Sequence, residues 1–301
     1  MRIVAALGGN ALLRRGQRAD YAVQQENLRA AVAALAVLAG EHELVVVHGN
    51  GPQVGMLALE SEADRLLARP YPLDVLVAET QGMIGYWLAA GLSTALPGRD
   101  VVGMLTRTVV NADDPAFARP VKFIGPGYSP TKARTLAAQH GWVLRRDGRR
   151  WRRVVASPEP VSIVELPVIA RLAADGAVVI AGGGGGVPVA AGADGRLRGV
   201  EAVVDKDLTA ALLACELKAD ALLLLTDVPA VQRDFGTPRA EPITRATVAE
   251  LTALGLPDGS MGPKVEACRR FLAAGGEIAA IGAVHRAAEL LAGTDGTRVH
   301  L

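Results

Sequence analysis

The chain has 301 residues, half of them apolar and only 4% aromatic, with a formal net charge of +1 at pH 7. This length suits one large α/β domain with room for an inserted segment, and such an aliphatic composition favours a buried parallel sheet covered by helices. The balanced charge provides no general attraction to nucleic acids or membranes, so neither is an expected partner.

The two cysteines, Cys215 and Cys268, are far apart and lie in apolar helical contexts. We interpret both as small buried side chains in a reducing compartment. The sequence begins directly with a strand pattern, lacks the apolar region of a signal peptide, and has no apolar run long enough to cross a bilayer. We therefore expect a cytoplasmic protein.

Short apolar segments that end in glycine or polar residues alternate with segments of helical periodicity. The predicted strands cover residues 3–7, 44–47, 177–181, 221–225 and 278–281. The predicted helices cover residues 23–38, 52–67, 75–90, 167–174, 208–217 and 264–274. This alternation predicts a doubly wound α/β sheet, whose ligands bind beyond the carboxyl ends of the strands.

Residues 111–160 interrupt this alternation. Within them, residues 142–146 and 150–155 flank Asp147-Gly148 and predict a hairpin, with the surrounding arginines on its solvated faces. RNA binding by these arginines is a minor alternative. An ordinary long loop is the other alternative, but structureless loops of this length are rare in compact domains unless they are functional. We therefore expect a small excursion from the main sheet.

Glycine-rich loops follow the first two predicted strands, and glycine lets backbone N–H groups approach an anion closely at the start of a helix. Together they favour a shared oxyanion site, although a single such loop is weak support because it also suits a tight turn. We interpret the adjacent His48 as structural. The loop residues are Gly8, Gly9, Asn10, Gly49, Asn50 and Gly51.

Five consecutive glycines occupy positions 182–186 after the third predicted strand. Ordering such a run is unfavourable, so either a nucleotide or a packed loop must approach this backbone closely. The run lacks the lysine and hydroxyl residue of a phosphate-binding P-loop.

Three of the chain's five lysines, Lys122, Lys206 and Lys264, stand in or beside glycine- and proline-rich loops or helix starts. Lysine binds phosphate as a compact point charge, so these positions favour phosphoryl-transfer chemistry. Asp207 is suited to orienting the lysines. Alternatively, it is an ordinary acidic residue at a helix start.

Two further segments are placed for ligand binding. Thr226 and Asp227 end the fourth predicted strand, and residues 259–264 form a loop that leads into a helix carrying Lys264. A lysine near a helix N-terminus opposes the helix dipole, so a bound anion explains it better than fold stability does.

These motifs resemble those of the carbamate kinases, within the amino acid kinase family. The resemblance is collinear and nearly full length. It rests on ALGGNALL at 6–13, HGNGPQVG at 48–55, AETQGMIGYWL at 78–88, DPAFARPVKFIGPGY at 114–128, AGGGGGVPV at 181–189, GVEAVVDKDLTAALLACELKADALLLLTDV at 199–228 and GSMGPKVEA at 259–267, together with residues 141–160.

The resemblance implies an open three-layer αβα sandwich with a mainly parallel sheet, forming one domain over residues 1–301 with a lid subdomain at about 111–160. It implies a homodimer that converts carbamoyl phosphate and ADP into carbamate and ATP, with Mg²⁺ held by the nucleotide phosphates and no dedicated metal residues. The family suggests ATP synthesis at the end of arginine or purine-derivative breakdown.

By motif, the loop residues Gly8, Gly9, Asn10, Gly49, Asn50 and Gly51 are expected to hold carbamoyl phosphate. The expected catalytic residues are Lys122 from the lid, Lys206 and Lys264 beside the transferred phosphoryl group, and Asp207 as the organiser of the lysines. The expected nucleotide-binding residues are Thr226, Asp227, Met261, Gly262 and Lys264.

The sequence departs from the family after the Thr226-Asp227-Val228 segment, where Pro229 and Ala230 replace polar residues; selectivity for the nucleotide base is therefore open. The alternatives are a family member that phosphorylates acetylglutamate or glutamate, and a non-catalytic nucleotide-binding homologue. Carboxylate kinases of the family carry a lysine just before the first glycine pair, whereas this chain has Ala6 and Leu7 there.

Overall fold

The computed structural model describes residues 1–14, 16–256 and 261–301, apart from the side chain of Asn10. The strands are β1 (Arg2–Leu7), β2 (Glu43–His48), β3 (Val101–Gly103), β4 (Arg107–Val110), β5 (Lys122–Tyr128), β6 (Leu144–Asp147), β7 (Arg150–Val155), β8 (Pro160–Ile163), β9 (Val178–Ile180), β10 (Val187–Ala191), β11 (Leu197–Gly199), β12 (Ala221–Thr226), β13 (Val231–Arg233), β14 (Glu241–Ile243), β15 (Arg245–Thr247), β16 (Ile278–Ala283) and β17 (Thr297–His300).

The helices are α1 (Gly9–Leu12), α2 (Tyr21–Glu41), α3 (Gly51–Ala63), α4 (Leu73–Ala95), α5 (Pro130–His140), α6 (Leu166–Ala174), α7 (Lys206–Glu216), α8 (Val248–Ala253), α9 (Gly262–Ala273) and α10 (Ala287–Ala292). All five predicted strands and six predicted helices are present. In the parts of the chain that the structure describes, no helix is both long and apolar enough to cross a membrane.

The central sheet has the strand order β15-β17-β16-β12-β1-β2-β9-β3 across the described residues. Its inner strands run parallel, and β17 pairs antiparallel with β16. The strand β12 is apolar along most of its length and buried throughout, as expected of a parallel strand covered on both faces. The predicted α/β class with a mainly parallel sheet is confirmed.

Helices cover both faces of this sheet, which makes three layers. On one face, Leu35 of α2 and Leu88 of α4 pack against the strands. On the other, Leu213 of α7 and Phe271 of α9 are buried against them. Because β1, β2, β12 and β16 are parallel, their carboxyl ends meet at one sheet edge, and the loops that follow them are brought together there.

A second sheet, with the order β11-β10-β4-β8, was not predicted from the sequence. Its strands are short, and its pairs β4–β8 and β4–β10 join strands that are far apart in the sequence, which local periodicity does not reveal. The pairing of β4 with β8 brings together the two ends of residues 111–160, because Val110 pairs with Pro160.

The predicted hairpin is present within that segment. Strand β6 pairs with β7 around a turn in which Gly148 has a φ of +59°, and β5 completes a three-stranded sheet. The prediction that the arginines lie on solvated faces is wrong for Arg152 and Arg153. Their guanidinium groups stack on Phe123 and Trp142, at 5.5 and 4.3 Å from the ring centroids, since flat cations pack well on aromatic faces.

The glycine run at 182–186 is a packed loop. A Cβ atom at Gly184 would overlap the Asn50 side chain, and one at Gly186 would overlap Thr108 Oγ1. Of the two alternatives that the sequence left open, close packing of the protein on itself accounts for these glycines. Cys268 is buried as predicted, but the prediction for Cys215 is only partly right because its side chain is half-buried.

Candidate active site

The start of α7 organises the site. Asp205 is the N-cap, and its Oδ1 accepts a hydrogen bond of 2.9 Å from the backbone N–H of Asp207. A carboxylate at this position satisfies a backbone donor that the helix leaves unpaired. The cap therefore fixes the first turn of α7, which carries the predicted residues Lys206 and Asp207.

Asp207 joins two of the predicted lysines. Its Oδ2 accepts a hydrogen bond of 2.9 Å from Lys264 Nζ, and both of its oxygens lie 3.1 Å from Lys206 Nζ. The side chains of Lys206, Lys264 and Asp207 are only 12%, 8% and 3% exposed. Charges buried to this degree require partners, and the carboxylate of Asp207 serves both ammonium groups.

Burial raises the pKa of Asp207, but the charges of Lys206 and Lys264 outweigh burial and hold this pKa below its usual range. Burial opposes the charge on Lys264 as well, yet its attraction to Asp207 raises the pKa of Lys264. For Lys206, burial dominates over the attraction of Asp207, and neighbouring Lys264 adds repulsion, so its pKa is lowered to about 8. The charge of Lys206 is therefore sensitive to pH near 8.

Lys122 reaches this cluster from the three-stranded sheet. It is the first residue of β5, and its ammonium forms an ion pair with the carboxylate of Asp205. Burial raises the pKa of Asp205, but Lys122 and then Lys206 outweigh burial and hold this pKa well below its usual range. The five side chains Lys122, Lys206, Lys264, Asp205 and Asp207 are called the lysine–aspartate cluster below.

The glycine loops of β1 and β2 lie beside this cluster. A Cβ atom at Gly49 would stand 2.7 Å from Gly9 N and 3.1 Å from Lys206 Cδ, so only glycine permits this approach. On the other side, Gly8 N donates a hydrogen bond of 2.8 Å to Leu225 O. The loops of β1 and β2 therefore meet beside Lys206, and the end of β12 lies next to the β1 loop, as the parallel sheet predicts.

Asn50 and Gly51 stand at the start of α3, with Pro52 in its first turn as predicted. The Asn50 side chain is buried, and its Nδ2 donates to Thr80 Oγ1 over 2.8 Å. A Cβ atom at Gly51 would lie 3.7 Å from Phe123 O of β5. The predicted Asn10 stands in α1, but its side chain lies outside the described residues.

His48 is fully buried beside this loop. Burial lowers its pKa to about 4, which keeps the imidazole neutral near pH 7. The ring has a contact of 3.1 Å with Gly49 O. This environment agrees with the structural role that we expect for His48.

The predicted nucleotide-binding residues lie at the ends of two elements. Thr226 ends β12, and its Oγ1 donates to Asp227 Oδ1 over 3.1 Å. Met261 is the N-cap of α9, and Gly262 is the first residue of that helix. The earlier part of this loop, Gly259 and Ser260, lies outside the described residues. Of these predicted residues, Lys264 alone is shown to join the lysine–aspartate cluster in the described part of the chain.

The carboxylates of the site are engaged with lysines. Within residues 1–14, 16–256 and 261–301, no group of three histidine, cysteine, aspartate or glutamate side chains is placed to hold a metal ion. Mg²⁺ commonly keeps several water ligands and is held by substrate phosphates with few protein carboxylates. A Mg²⁺ ion bound through nucleotide phosphates would not require such a group.

The chemistry that this arrangement supports is the binding of an anion. The lysine–aspartate cluster carries three positive and two negative charges when all its members are ionised, so one positive charge is unbalanced. It lies beside glycine loops whose backbone N–H groups are typical donors to phosphate. Preorganised ammonium groups in a site of low exposure are suited to charge that develops during group transfer.

Sequence reasoning missed the role of Asp205. The residue belongs to the same motif as Lys206 and Asp207, and an acidic residue just before a helical pattern is a strong N-cap signal. That signal predicts the cap. It does not predict the ion pair with Lys122, because the two residues are 83 positions apart.

The sequence model of the amino acid kinase family matches residues 1–282. A carbamate kinase from Escherichia coli O6:H1 is 52% identical over 299 residues, which are 99% of each chain. The structure of carbamate kinase from Giardia lamblia bound to citric acid has a TM-score of 0.91 and 36% identity, covering 99% of this chain and 97% of that one. The Giardia lamblia enzyme bound to AMP-PNP has a TM-score of 0.87 and 36% identity, covering 99% and 98%. The chain therefore belongs to the amino acid kinase family, and within that family to the carbamate kinases.

Proposed function

We propose that this protein is a phosphotransferase that interconverts carbamoyl phosphate and ADP with carbamate and ATP. The observation that carries the proposal is the buried pairing of Lys206 and Lys264 with Asp207, beside the glycine loops of β1 and β2. Full-length identity to a carbamate kinase supports the choice of substrate.

In this reaction the phosphoryl group passes from the carbamate oxygen to the terminal phosphate of ADP. Its transition state spreads negative charge over the phosphoryl oxygens, and catalysis is mostly positioning and charge stabilisation. Lys206 and Lys264 supply the positive charge that stabilises this transition state, and Asp207 holds both ammonium groups in place. The backbone N–H groups of Gly9 and Gly51 orient the carbamoyl phosphate, and Asn10 stands beside them at the start of α1. Gly8, Gly49 and Asn50 shape the two loops, because the N–H groups of Gly8 and Gly49 donate to Leu225 O and Leu7 O and the Asn50 amide donates to Thr80.

The nucleotide lies against Thr226, Asp227 and the start of α9, from Met261 and Gly262 to Lys264. A bound nucleotide analogue in a relative of similar fold supports a nucleotide site in this fold. A Mg²⁺ ion on the nucleotide phosphates would supply further charge neutralisation. In this chain, Lys264 takes part in both the nucleotide site and the phosphoryl site.

Residues 111–160 act as a lid that brings Lys122 to the substrate. Two observations support this role: the ends of the segment lie side by side at Val110 and Pro160, and its three-stranded sheet is separate from the central one. A lid that closes over the substrate would exclude water, which otherwise competes as the phosphoryl acceptor.

The protein assembles as a homodimer in the cytoplasm, and it contributes to arginine breakdown. The exposed edge of the central sheet supports the dimer: β3 is the terminal strand there, and Tyr86 on the adjoining helix α4 is 70% exposed. Large exposed aromatic residues are common at protein interfaces.

Two other functions are distinguishable from this one. A carboxylate kinase of the same family would phosphorylate acetylglutamate or glutamate, but Ala6 and Leu7 stand where such enzymes carry a lysine. A non-catalytic homologue would bind ADP without turnover. The intact lysine–aspartate cluster favours catalysis, since a binding protein has no need for three converging lysines.

A coupled assay of ATP formation from carbamoyl phosphate and MgADP tests the proposal, with acetylglutamate and glutamate plus MgATP as alternative substrates. We expect ATP formation and negligible phosphorylation of either amino acid. The substrate assignment would be overturned if MgATP phosphorylated acetylglutamate or glutamate faster than carbamoyl phosphate phosphorylated ADP. Tight ADP binding without turnover would instead support the non-catalytic homologue.

A further inference from the structure

We propose that Asp205 is a positioning residue for phosphoryl transfer, because its carboxylate anchors Lys122 to the helix start that carries Lys206 and Asp207. This inference rests on the proposed function. It assigns to Asp205 a task separate from that of Asp207: Asp207 holds the two lysines of the main body, and Asp205 holds the lysine that comes from the three-stranded sheet.

The two oxygens of Asp205 have different partners. One accepts the backbone N–H of Asp207 over 2.9 Å, and the other accepts Lys122 Nζ. A single carboxylate therefore links the first turn of α7 to the first residue of β5. Movement of Lys122 away from the phosphoryl site must therefore break its ion pair with Asp205, the residue that caps the helix turn carrying Asp207.

Burial makes this link more than a surface ion pair. Asp205 is 7% exposed, and the side chain of Lys122 is 25% exposed. An exposed ion pair contributes little, but removal of one partner from a buried pair leaves an uncompensated charge in a poorly solvated site. The structure therefore favours the arrangement in which Lys122 stays at the cluster.

Helix capping alone does not require an aspartate at position 205. Serine and asparagine cap helices about as well, because either side chain offers an oxygen to the same backbone N–H. Only a carboxylate also neutralises Lys122. Since an ammonium group has three donors, one bond to Asp205 leaves two donors free for substrate oxygens.

The test uses Asp205→Asn, which keeps a cap oxygen and removes the charge. We expect the KM for carbamoyl phosphate to rise roughly tenfold or more, the scale for loss of a hydrogen bond to a charged group. The KM for ADP should change by less than about twofold, because Asp205 has no predicted contact with the nucleotide. Asp205→Ser provides a second capped variant if the asparagine variant is poorly folded.

A double-mutant cycle separates this role from a general structural one. If Asp205 acts through Lys122, adding Asp205→Asn to Lys122→Met should change kcat/KM by less than about twofold. Additive losses in the double variant, or a KM for carbamoyl phosphate unchanged in both capped variants, would overturn the inference.

A second measurement does not depend on the assignment of the substrate. Hydrogen exchange of the amides in β5 should be faster in the full-length Asp205→Asn variant than in the wild type, while exchange in β12 should be unchanged. Faster exchange in β5 would support the anchor even if the wild type failed to make ATP from carbamoyl phosphate. Unchanged exchange in β5 would contradict the anchor even if that activity were present.

Discussion

Lys264 Nζ donates to Asp207 Oδ2 over 2.9 Å, although the two residues are 57 positions apart and belong to different helices. The contact joins α9 to α7 above the carboxyl end of the sheet. It places one lysine from each helix on the same carboxylate, because Lys206 Nζ also lies 3.1 Å from both oxygens of Asp207. The position of the two ammonium groups therefore depends on the packing of α7 against α9.

We expect Lys206→Met and Lys264→Met each to lower kcat by roughly a hundredfold or more, since each removes a preorganised charge from the phosphoryl site. Steady-state kinetics with carbamoyl phosphate and MgADP measure the effect. The matched control is Lys218→Met, which removes an exposed lysine outside the site and the lid and should leave kcat unchanged. Turnover of Lys206→Met close to that of the wild type would contradict the assigned role.

Asp207→Asn should also lower kcat, because a neutral amide holds two ammonium groups less firmly than a carboxylate does. We expect circular dichroism to show the wild-type secondary structure, so that the loss reflects orientation of the lysines. Wild-type kcat in a folded Asp207→Asn variant would show that the lysines need no organiser.

Lys122→Ala should raise the KM for carbamoyl phosphate roughly tenfold or more, the scale for loss of one charged contact, and leave ADP binding nearly unchanged. The reason is that Lys122 approaches from β5, whereas the nucleotide site lies on the main sheet. Isothermal titration of ADP and initial-rate kinetics measure the two effects. Hydrogen exchange should also show residues 111–160 more protected with both ligands than with neither.

The lid assignment depends on both parts of that prediction. If Lys122→Ala weakened ADP binding as strongly as the use of carbamoyl phosphate, Lys122 would not be selective for the phosphoryl donor. If the hydrogen-exchange rates of residues 111–160 were the same with and without ligands, the segment would be a fixed packing or dimer element.

The activity should fall as pH rises through about 8. Lys206 must be protonated to neutralise the phosphoryl group, and its pKa is lowered to about 8 because burial dominates over the attraction of Asp207. The fraction of charged Lys206 is therefore high below pH 8 and decreases above it. The pH profile of kcat/KM, which reports the free enzyme, measures this limb.

Lys206→Arg provides the comparison for that profile. Its guanidinium stays charged at every accessible pH, so any residual activity should lose the decline near pH 8. A decline of the same shape in the arginine variant would assign the titration to another group.

The enzyme should accept GDP alongside ADP more readily than relatives with a polar segment after Asp227. In this chain, Pro229 and Ala230 offer no side-chain hydrogen bond to a nucleotide base. The ratio of kcat/KM for the two diphosphates measures the selectivity. A strong preference for ADP would show that backbone groups recognise the base unaided.

Gly55→Ala should weaken the seating of the three-stranded sheet on α3. A Cβ atom at Gly55 would overlap the backbone of Gly125, so one of the two elements must move. Overpacking of this kind typically costs about 1–3 kcal/mol. We expect a lower melting temperature and a higher KM for carbamoyl phosphate.

Gly40→Ala is the control for that substitution. Gly40 also lies in a helix, α2, but a Cβ atom there would meet nothing within 4 Å. Alanine should stabilise this helix slightly, by up to about 1 kcal/mol. A melting temperature of Gly55→Ala equal to that of Gly40→Ala would contradict the close contact between Gly55 and Gly125.

The alternation of strands and helices was determined by the sequence alone. Strand β12 and helix α2 follow from apolar patterns within single segments, and the hairpin of β6 and β7 follows from its Asp147-Gly148 turn. The carboxyl ends of parallel strands share one edge, so the convergence of Gly9 and Gly49 was also predictable. Each of these inferences depends on residues close together in the chain or on a general property of parallel sheets.

Only the tertiary structure decided which charges pair. The motif around Lys206 shows two aspartates of similar local context, yet Asp207 binds Lys264 while Asp205 binds Lys122. The second sheet and the stacking of Arg153 on Trp142 were likewise undetermined. Most of these contacts join residues that are far apart in the sequence, and packing of the whole chain decides which side chains meet. Local periodicity contains no information about which distant residues come into contact.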